Sequence, residues 1–517
     1  LGYPIRLVVH PILNVEPKAK GTAARFVGAG PAASDKVLRV SLIHVHIDRL
    51  ENEAEADALV ARLDSVLTEV RGIVADWQPM MSRVRDAIAN YQTNPPPIPV
   101  DEIAEAVQFL QWLVDANFTF LGVREYAFAG GVKRGDLKPA GAGLGILANP
   151  DVSVLRRGAE HVNMTPEVRE FLLQPHPLII TKANVKSRIH RRVHMDYIGV
   201  KQYDAHGHLT GELRIVGLFT SSAYNRSTRN IPFLRRKVDL VIRRSGYDTH
   251  SHSGKALLNV LENYPRDELF QIDEETLLSF ATAIHELDER PRIRVLARRD
   301  KFDRFVSVLV FAPRDRYDTA TRLRIGAYLA DFYEGRVSAW YVTYPEGPLA
   351  RVHFIIGGID AAIPDPDQDA FEAAIAAIVR TWSDTLEAEL AARHDSTRAA
   401  LLVERYTGAF SAAYQEAFTP AVAVADIEIA EAEEHRDIFI DFYRREGSAP
   451  QEVALKVYHP KEPTPLSVRV PLLENMGFRV INERTYRIDP TGDRDTVHLH
   501  DMSLVRADGR AIDLDLL

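Results

Sequence analysis

The sequence predicts an α+β protein of several domains, because one order of strands and helix occurs twice along the chain. Residues 292–357 contain strand-like runs such as RFVSVLVFAPRD and one helical run, TATRLRIGAYLADFY. Residues 436–505 repeat that order with EVALKVYHP, SVRVPLLENM and GFRVINERTYRI. Each region therefore predicts two strands, a helix and two more strands. A module of this kind forms a small antiparallel sheet with its helix on one face.

The last strand of the first repeat predicts which side chains face its helix. Successive side chains of a strand point to opposite faces. We therefore expect Val352, Phe354 and Ile356 on the helix side of the sheet. Arg351 and His353 are expected on the opposite side.

The helix of the second repeat has recognisable end signals. Ser467 is expected as its N-cap, which places Pro471 in the first turn. Gly477 is expected in the left-handed conformation that commonly follows a helix. A start at Thr464 is rejected because it would leave Pro471 in the helix interior.

Composition limits the class of protein. A chain of 517 residues predicts about three or four domains. It is 46% hydrophobic and 26% charged, with a net charge of −9, which argues against a nucleic-acid partner. It contains no cysteine, so disulfides, thiolate catalysis and cysteine-bound zinc are excluded. No apolar run predicts a membrane span or a signal peptide, and a cytoplasmic location is expected.

The other elements follow from periodicity and from breaks. Strands are expected over 3–14 and 38–48, and the prolines of NPPPIP end a helical region. Four further strands are expected in FTFLGVREYAF, PLIITKANV, RRVHMDYIGVKQYD and GELRIVGLFT. Helices are expected over 53–76, 101–116 with Asp101 as N-cap, 232–245, 254–263, 275–289 and most of 367–416.

The long helical region carries one apolar repeat that could serve packing or oligomer contacts. Its members are spaced by four residues and are expected to form one stripe: Ala374, Ile378, Trp382 and Leu386. The alternatives are packing within the chain and packing between subunits.

Motifs for chemistry are weak. Gly28, Gly30 and Ala33 have the spacing of a dinucleotide fingerprint, but no helix follows them, so a flexible loop is favoured. Histidine pairs could chelate a metal, yet no third ligand is identifiable, and a polar strand face or loop is favoured. The pairs are His44 with His46, His498 with His500, and His250 with His252. In the two strand pairs, Val45, Ile47, Val497 and Leu499 are expected on the opposite, buried face.

A basic cluster precedes and enters one predicted helix. No aromatic residues are interleaved with it, so salt bridges within the chain or to another subunit are favoured over RNA. Its members are Arg226, Arg229, Arg235, Arg236, Lys237, Arg243 and Arg244.

Several long segments resemble one family. They include RRDKFDRFVSVLVFAPRDRYDTATRLRI, NFTFLGVREY, SHSGKALLNVLENYPRDELFQI and PLLENMGFRVINERTYRI, with the shorter VADWQPM and RTWSDTL. Together they span nearly the whole chain. They resemble the N-terminal half of the large bacterial NAD-dependent glutamate dehydrogenases. The segment HDM at 500–502 departs from the family, which tends to have an aromatic third residue, and only a packing difference is expected.

The resemblance implies a domain order built from ACT-like modules, which are ferredoxin-like ββαββ sheets, and one PAS-like α+β domain. The chain's two ends suggest an excerpt of a longer polypeptide, so the outer modules are expected to be incomplete. The expected ranges are an ACT-like domain at 1–95, the PAS-like domain at 100–265, a second ACT-like domain at 290–362, a helical connector at 366–418 and a third ACT-like domain at 420–517.

The resemblance also implies a function. Glutamate dehydrogenases convert L-glutamate, NAD⁺ and water to 2-oxoglutarate, ammonium and NADH. The family's catalytic lysines and NAD-binding domain lie later in its chain. No catalytic, cofactor-binding or metal-binding residue is therefore assigned, and this stretch alone is expected to be inactive. NAD is expected as cofactor of the full-length protein. A homo-oligomer, by family resemblance a tetramer, is expected, with neither nucleic acid nor membrane as partner. The alternative is a free-standing amino-acid sensor.

An amino-acid effector, if one binds, is expected beside the N-terminus of a repeat helix. Unpaired backbone N–H groups and the positive end of the helix dipole favour a carboxylate there. Arg314 would hold the carboxylate and Asp315 the ammonium group. The competing interpretation is a simple helix cap with a solvated loop. The candidate residues are Arg314, Asp315 and Thr319 in the first repeat, and Lys461 and Ser467 in the second.

Overall fold

A computed structural model describes most of the chain, and the chain divides into two compact units. The first comprises Leu1–Arg290, Ala297–Ser307 and Ile355–Ile363. The second comprises Pro291–Leu296, Val308–Phe354 and Pro364–Leu517. The residues described are 3–16, 25–29, 37–128, 137–149, 152, 154, 156–157, 160–161, 173–174, 176–359, 363–432, 438–445, 447–460, 462–492 and 494–514.

Five short strands open the first unit within its described residues. β1 (Ile5–Val9) pairs antiparallel with β5 (His44–Ile47). β2 (Ile12–Glu16) lies between β3 (Arg25–Ala29) and β4 (Leu38–Ser41). The two strands predicted here are therefore each divided in two. The expectation that Val45 is buried is wrong, because 44% of this residue is exposed.

A long helix follows, α1 (Glu53–Thr93), capped by the Asn52 side chain. The predicted end at residue 76 is wrong, because the helix continues through Pro79. An interior proline costs about 3 kcal/mol, whereas each large apolar side chain that becomes buried stabilises by roughly 1.5–3 kcal/mol. Beyond residue 76 several side chains are buried, so burial outweighs the proline: Met80, Met81, Val84, Ala87 and Tyr91. The helix ends at the NPPPIP segment, as predicted.

The next helix, α2 (Val100–Trp112), begins after Pro99. Asp101 is therefore not the N-cap but an acidic residue of the first turn. Its negative charge there still interacts favourably with the positive end of the helix dipole. A π-helical turn, Leu113–Asn117, ends the helix. The Asn117 amide donates to the Trp112 carbonyl oxygen at 2.8 Å.

A six-stranded antiparallel sheet forms the body of the first unit. Its strands are β6 (Phe118–Phe128), β7 (Leu137–Pro139), β8 (Leu144–Gly145), β11 (Leu178–Lys186), β12 (His194–Tyr203) and β13 (Leu209–Phe219). The order is β11-β12-β13-β6-β7, with β8 also on β6, so β11 is an edge strand. A separate two-stranded sheet pairs β9 (Arg156–Arg157) with β10 (Glu160–His161).

Five helices follow the sheet strands. They are α3 (Ser221–Asn225), α4 (Leu234–Ser245), α5 (His252–Glu262), α6 (Arg266–Gln271) and α7 (Glu274–Glu289). The three longer ones lie within two residues of the predicted positions. Aromatic stacking links α6 to the end of strand β13, since the Phe219 and Phe270 ring centroids lie 4.6 Å apart with nearly parallel planes.

The first repeat contains β14 (Arg294–Arg299), β15 (Phe305–Pro313), α8 (Thr319–Phe332), β16 (Arg336–Thr343) and β17 (Leu349–Gly357). Its strand order is β14-β15-β17-β16. Phe354 faces α8 as predicted, because a Cβ atom added to Gly326 of that helix would lie 3.4 Å from the Phe354 ring. On the other face, the His353 ring contacts that of Tyr341 at 6.0 Å.

In the described part of the chain, five helices separate the repeats: α9 (Gln368–Val379), α10 (Trp382–Arg393), α11 (Ser396–Tyr406), α12 (Ala412–Ala417) and α13 (Pro420–Glu431). The single stripe through Trp382 and Leu386 is therefore wrong. The side chains of Thr381 and Asp384 form a capping box that starts a new helix after Arg380. Ala374 and Ile378 lie on α9, whereas Trp382 is the first residue of α10.

The second repeat contains β18 (Phe439–Tyr443), β19 (Glu452–Pro460), α14 (Leu466–Asn475), β20 (Phe478–Ile488) and β21 (Val497–Arg506). Its antiparallel order, β18-β19-β21-β20, equals that of the first repeat, as predicted. One face of this sheet packs against α10–α13 through residues such as Val497 and Leu499. Leu473 of α14 packs with Leu455 and Met502 of β19 and β21.

The predicted start of α14 is wrong. The helix begins at Leu466 after Pro465, so Ser467 is its second residue and Pro471 lies in its interior. The proline removes one backbone hydrogen bond, while burial of Leu473 holds the helix to the sheet. Gly477 follows the helix with φ of 87°, as predicted.

Within the described residues, no helix combines the length and the apolar character that a membrane crossing requires.

Candidate effector sites

The predicted site of the first repeat lies at the N-terminus of α8. The Arg314 backbone N–H donates a hydrogen bond to the Pro348 carbonyl oxygen at 2.8 Å. The Arg314 guanidinium carbon lies 4.9 Å from the centre of the Tyr344 ring. The Asp315 side chain is 79% exposed. Thr319 is the first residue of the helix. The three candidates are therefore near one another in the chain, on a surface turn.

Sequence reasoning missed the residue that caps this helix. The Asp318 carboxylate accepts a hydrogen bond from the Thr321 backbone N–H at 2.7 Å. That bond lowers the pKa of Asp318 below its usual value. The N-cap preference for aspartate could have identified it. An effector carboxylate at this terminus would have to bind beside Asp318 or displace it.

The predicted site of the second repeat is only partly described. Lys461 lies outside the described residues. Ser467 lies in the first turn of α14, and the N-cap position is Pro465, which offers no side-chain cap. A carboxylate would therefore meet backbone N–H groups without a competing side chain at the cap position.

The histidine pairs do not form metal sites within the described part of the chain, where no group of three His, Cys, Asp or Glu side chains is placed to hold an ion. The Nε2 atoms of His44 and His46 lie 2.7 Å apart on an exposed strand. His500 is instead buried, and its Nδ1 bonds to the Glu483 carboxylate at 2.7 Å.

The basic cluster makes ion pairs, as favoured from the sequence. Arg235 binds the Glu105 carboxylate at 2.6 Å, and Arg236 binds Glu102 at 3.1 Å. Lys237 differs, because it is buried and its Nζ donates to three backbone carbonyl oxygens. Burial and nearby cations, including Lys301, lower the pKa of Lys237 to about 8.

Lys237 lines a cleft that sequence reasoning did not predict. The cleft has a volume of about 340 Å³ and lies entirely in the first unit, beside the edge strand β11. Its other walls come from α2, α4, the junction of α6 with α7, and the turn between β14 and β15. The charged residues that line it are Glu102, Glu105, Arg236, Lys237, Asp273, Glu274, Arg298, Asp300 and Lys301.

Buried ion pairs fix the inner end of this cleft. Arg304 binds Asp300 at 2.7 Å, and its guanidinium group also donates to the Thr181 hydroxyl oxygen at 2.7 Å. Arg298 pairs with the buried Glu268. Because removal of one partner from such a pair costs several kcal/mol, roughly 3–5, these contacts hold the turn against β11 and α6. The spacing of Asp300 and Arg304 was visible in the sequence, but their distant partners were not.

Models of glutamate dehydrogenase domains match five stretches of the chain. They are described as the ACT1 domain (1–63), helical motif 1 (231–290), the ACT2 domain (294–383), helical motif 2 (389–432) and the ACT3 domain (437–517). The two ββαββ sheets described above lie in the ACT2 and ACT3 matches. The fold is therefore that of a multidomain ACT protein with mixed α and β structure.

Known proteins match over almost the whole chain. The NAD-specific glutamate dehydrogenase of Pseudomonas aeruginosa is 34% identical over 520 residues, which cover 100% of this chain and 32% of that protein. The Halomonas elongata protein is 36% identical over 474 residues, 90% of this chain and 29% of its own. The Mycobacterium tuberculosis protein is 28% identical over 495 residues, 92% and 28% respectively. The chain belongs to the NAD-specific glutamate dehydrogenase family, and it spans about a third of these relatives' length.

Proposed function

We propose that this chain is the N-terminal regulatory and assembly region of an NAD-dependent glutamate dehydrogenase. The full-length protein would convert L-glutamate, NAD⁺ and water to 2-oxoglutarate, ammonium and NADH in the cytoplasm. The observation that supports this most is the series of ACT and helical-motif matches in one chain. ACT modules are sheet-and-helix units that bind small effectors or pair with one another.

The described residues offer groups for binding rather than for hydride transfer. Among their buried charges, Arg304 is paired with Asp300, and Lys237 is bonded to backbone carbonyl oxygens. Hydride transfer requires a cofactor held against its substrate, and we assign that task to parts of the full-length protein other than this stretch. The PAS-like assignment of residues 100–265 remains a proposal, supported by the six-stranded antiparallel sheet with helices after it.

The proposal also includes self-association, to a homotetramer. The ACT3 sheet ends in an exposed edge strand, β20, and exposed edges are surfaces that proteins usually cover. Beside it, Val468 and Leu472 of α14 and Met476, which follows its last residue, are 55%, 58% and 60% accessible. These residues recur every four positions, and such an apolar stripe favours contact with another protein surface. We assign a second copy of this protein to it.

Enzyme assays test the regulatory assignment. NADH formation from L-glutamate should be readily measured with the full-length protein, and should not exceed a blank with residues 1–517 alone. A rate above the blank from residues 1–517 would place catalysis in this stretch and refute the assignment.

A further inference from the structure

We propose that α1 pairs with α1 of a second copy of this protein as an antiparallel two-stranded coiled coil. This rests on the self-association proposed above and adds a second contact to it. Tetramers of identical subunits are commonly built from two different self-complementary contacts, each repeated about a two-fold axis, and α14 offers only one of them. The contact proposed for α1 is formed wholly by residues of the first unit.

The first half of α1 carries an apolar repeat of seven residues on its exposed surface. Steps of three and four residues alternate along this repeat, which is the spacing of positions a and d in a coiled coil. We call its members the heptad surface: Val60, Leu63, Leu67, Val70, Val74 and Trp77. Val70 is partly buried, and the other side chains have exposed fractions between 43% and 70%. A continuous apolar surface of this kind favours contact with another protein surface.

A different side of α1 packs against its own chain. Ile73 on that side is 8% exposed, and Glu69 binds Arg188 at 2.8 Å. Beyond Pro79 the seven-residue repeat continues with Met81 and Val84, and both are buried in the first unit. The repeat is therefore covered by the same chain in the second half of the helix, whereas its first half presents the same spacing to solvent.

Charges beside the heptad surface select the antiparallel direction. Asp64 and Arg71 are both exposed, and each occupies position e, directly after a residue at position d. They lie on opposite sides of the centre of the heptad surface. A two-fold rotation about that centre therefore brings Asp64 of each copy beside Arg71 of the other, which gives two ion pairs. A parallel pair would instead place these charges beside the apolar residues Leu59 and Val66.

An apolar cavity of about 460 Å³ lies at the end of the heptad surface. Its walls come from α1, from the π-helical turn after α2 and from β6, and they include Val74, Trp77, Met81, Val114, Phe118 and Phe120. Antiparallel pairing places Val60 of the partner subunit opposite Trp77. The first turns of the partner helix would therefore cover the cavity as well as the heptad surface.

A second copy explains the charges better than another occupant does. The arrangement of Asp64 and Arg71 is complementary to itself under a two-fold rotation, which a contact with an unrelated protein does not require. A membrane surface favours a helix with a basic polar face, whereas Asp57 and Asp64 are exposed on α1 beside the heptad surface. The self-complementary charges thus identify α1 of a second copy as the partner.

Disulfide cross-linking of the full-length protein tests both the pairing and its direction. These 517 residues contain no cysteine, so introduced thiols have no competitors among them. In the proposed coil Leu63 lies opposite Val74 of the partner subunit, whereas the two positions are about 16 Å apart along one helix, too far for a disulfide. Leu63→Cys/Val74→Cys should therefore form covalent dimers on mild oxidation. Ala61→Cys/Ala75→Cys, at exposed positions outside the heptad surface, should form none.

The single variant Leu63→Cys distinguishes the two directions. It should form no more covalent dimer than the oxidised wild type, because the two copies of this position are far apart in an antiparallel pair. Covalent dimers of Leu63→Cys would show a parallel pair and overturn the proposal. A Leu63→Cys/Val74→Cys protein that stays monomeric on a denaturing gel would overturn it too.

Light scattering separates this contact from that of α14. Leu67→Asp should reduce the tetramer to dimers, and Leu67→Asp combined with Leu472→Asp should give monomers. Thr68→Asp, at the adjacent exposed position outside the heptad surface, should leave the mass unchanged. A tetrameric Leu67→Asp protein would refute the pairing of α1 while the assembly role of α14 stands. A monomeric wild type would refute both.

Discussion

The two ββαββ repeats have the same strand order but bury different surfaces. In the first, the helix α8 is covered by α9, where the Phe371 ring lies 4.8 Å from Phe332 and 5.7 Å from Tyr328. In the second, α14 has no such cover within the described residues, and Leu472 is 58% exposed. The opposite face of its sheet is covered by the helices α10–α13. The central strands of the first sheet, β15 and β17, are also buried on both faces, so the repeats differ in whether their helix is covered. One topology therefore supports two kinds of packing.

A buried ion pair attaches the helical layer to the second sheet. Lys456 of β19 contacts the Asp426 carboxylate of α13 at 2.7 Å, and both side chains are almost fully buried. The Tyr458 hydroxyl donates to the same carboxylate at 2.7 Å, and the Tyr414 hydroxyl donates to its other oxygen. Burial and this carboxylate hold the pKa of both tyrosines far above the usual value. The repeats therefore differ in where the neighbouring helices pack. In the first repeat α9 packs on the repeat helix, and in the second α10–α13 pack on the sheet.

The largest expected effect comes from breaking that attachment. Asp426→Ala would leave the Lys456 ammonium buried without its partner, at a cost of about 3–5 kcal/mol. Backbone hydrogen exchange of β19 and β21 should become correspondingly faster. Glu428→Ala, on the same helix but half exposed, should change stability by less than about 0.5 kcal/mol. Equal effects of the two changes would show that the buried pair does not hold the layer.

A second change compares the covers of the two repeat helices. Phe371 is 2% exposed, so Phe371→Ala should open a cavity under α9 and cost roughly 3 kcal/mol. Leu472→Ala, on the exposed face of α14, should lower the free energy of unfolding of the monomeric chain by less than about 0.5 kcal/mol. Denaturant unfolding of both variants, at a concentration that prevents association, measures the difference. A large loss at Leu472 under those conditions would mean that α14 is already covered within its own chain.

A pH effect is expected to be smaller and confined to the second repeat. Burial of His459, together with the nearby His500 and Arg469, lowers the pKa of its imidazole to about 4. In the unfolded chain this group has a pKa near 6.5, so the unfolded state binds more protons between these values. The contribution of His459 to the free energy of unfolding is therefore complete above pH about 6.5, and it decreases as the pH falls toward about 4.

Unfolding midpoints measured across that pH interval test this sign. The wild type should lose stability faster than His459→Leu as the pH falls. A variant whose midpoint changes with pH as steeply as that of the wild type would exclude His459 as the source.

The sequence predicted elements better than their ends and partners. The periodicity of apolar residues located both repeats. Phe354 faces the helix of its repeat and Gly477 has a positive φ, both as predicted. Helix ends were mistaken where tertiary burial outweighed a local signal, as at Pro79 and Pro471. The break before Trp382 was missed because the T-x-x-D capping box lies within an Ala-rich apolar pattern.

The cleft could not be predicted, for a different reason. Lys237, Glu274 and Lys301 come from separate elements, and only the fold brings them together. Contacts between residues so far apart in the chain leave no regular spacing in the sequence from which they could be predicted. The candidate residues Arg314 and Asp315 were chosen from local rules alone, and the Asp318 cap beside them was overlooked.

Light scattering of the full-length protein at micromolar concentration tests the assembly role most directly. We expect the wild type to be a tetramer and Leu472→Asp to form smaller species, because a charge on the exposed stripe of α14 opposes its burial. Leu323→Asp, a matched change at a 60% exposed leucine of the covered repeat helix α8, should leave the mass unchanged. A monomeric wild type, or a Leu472→Asp protein with the wild-type mass, would contradict the assignment of α14 to self-association.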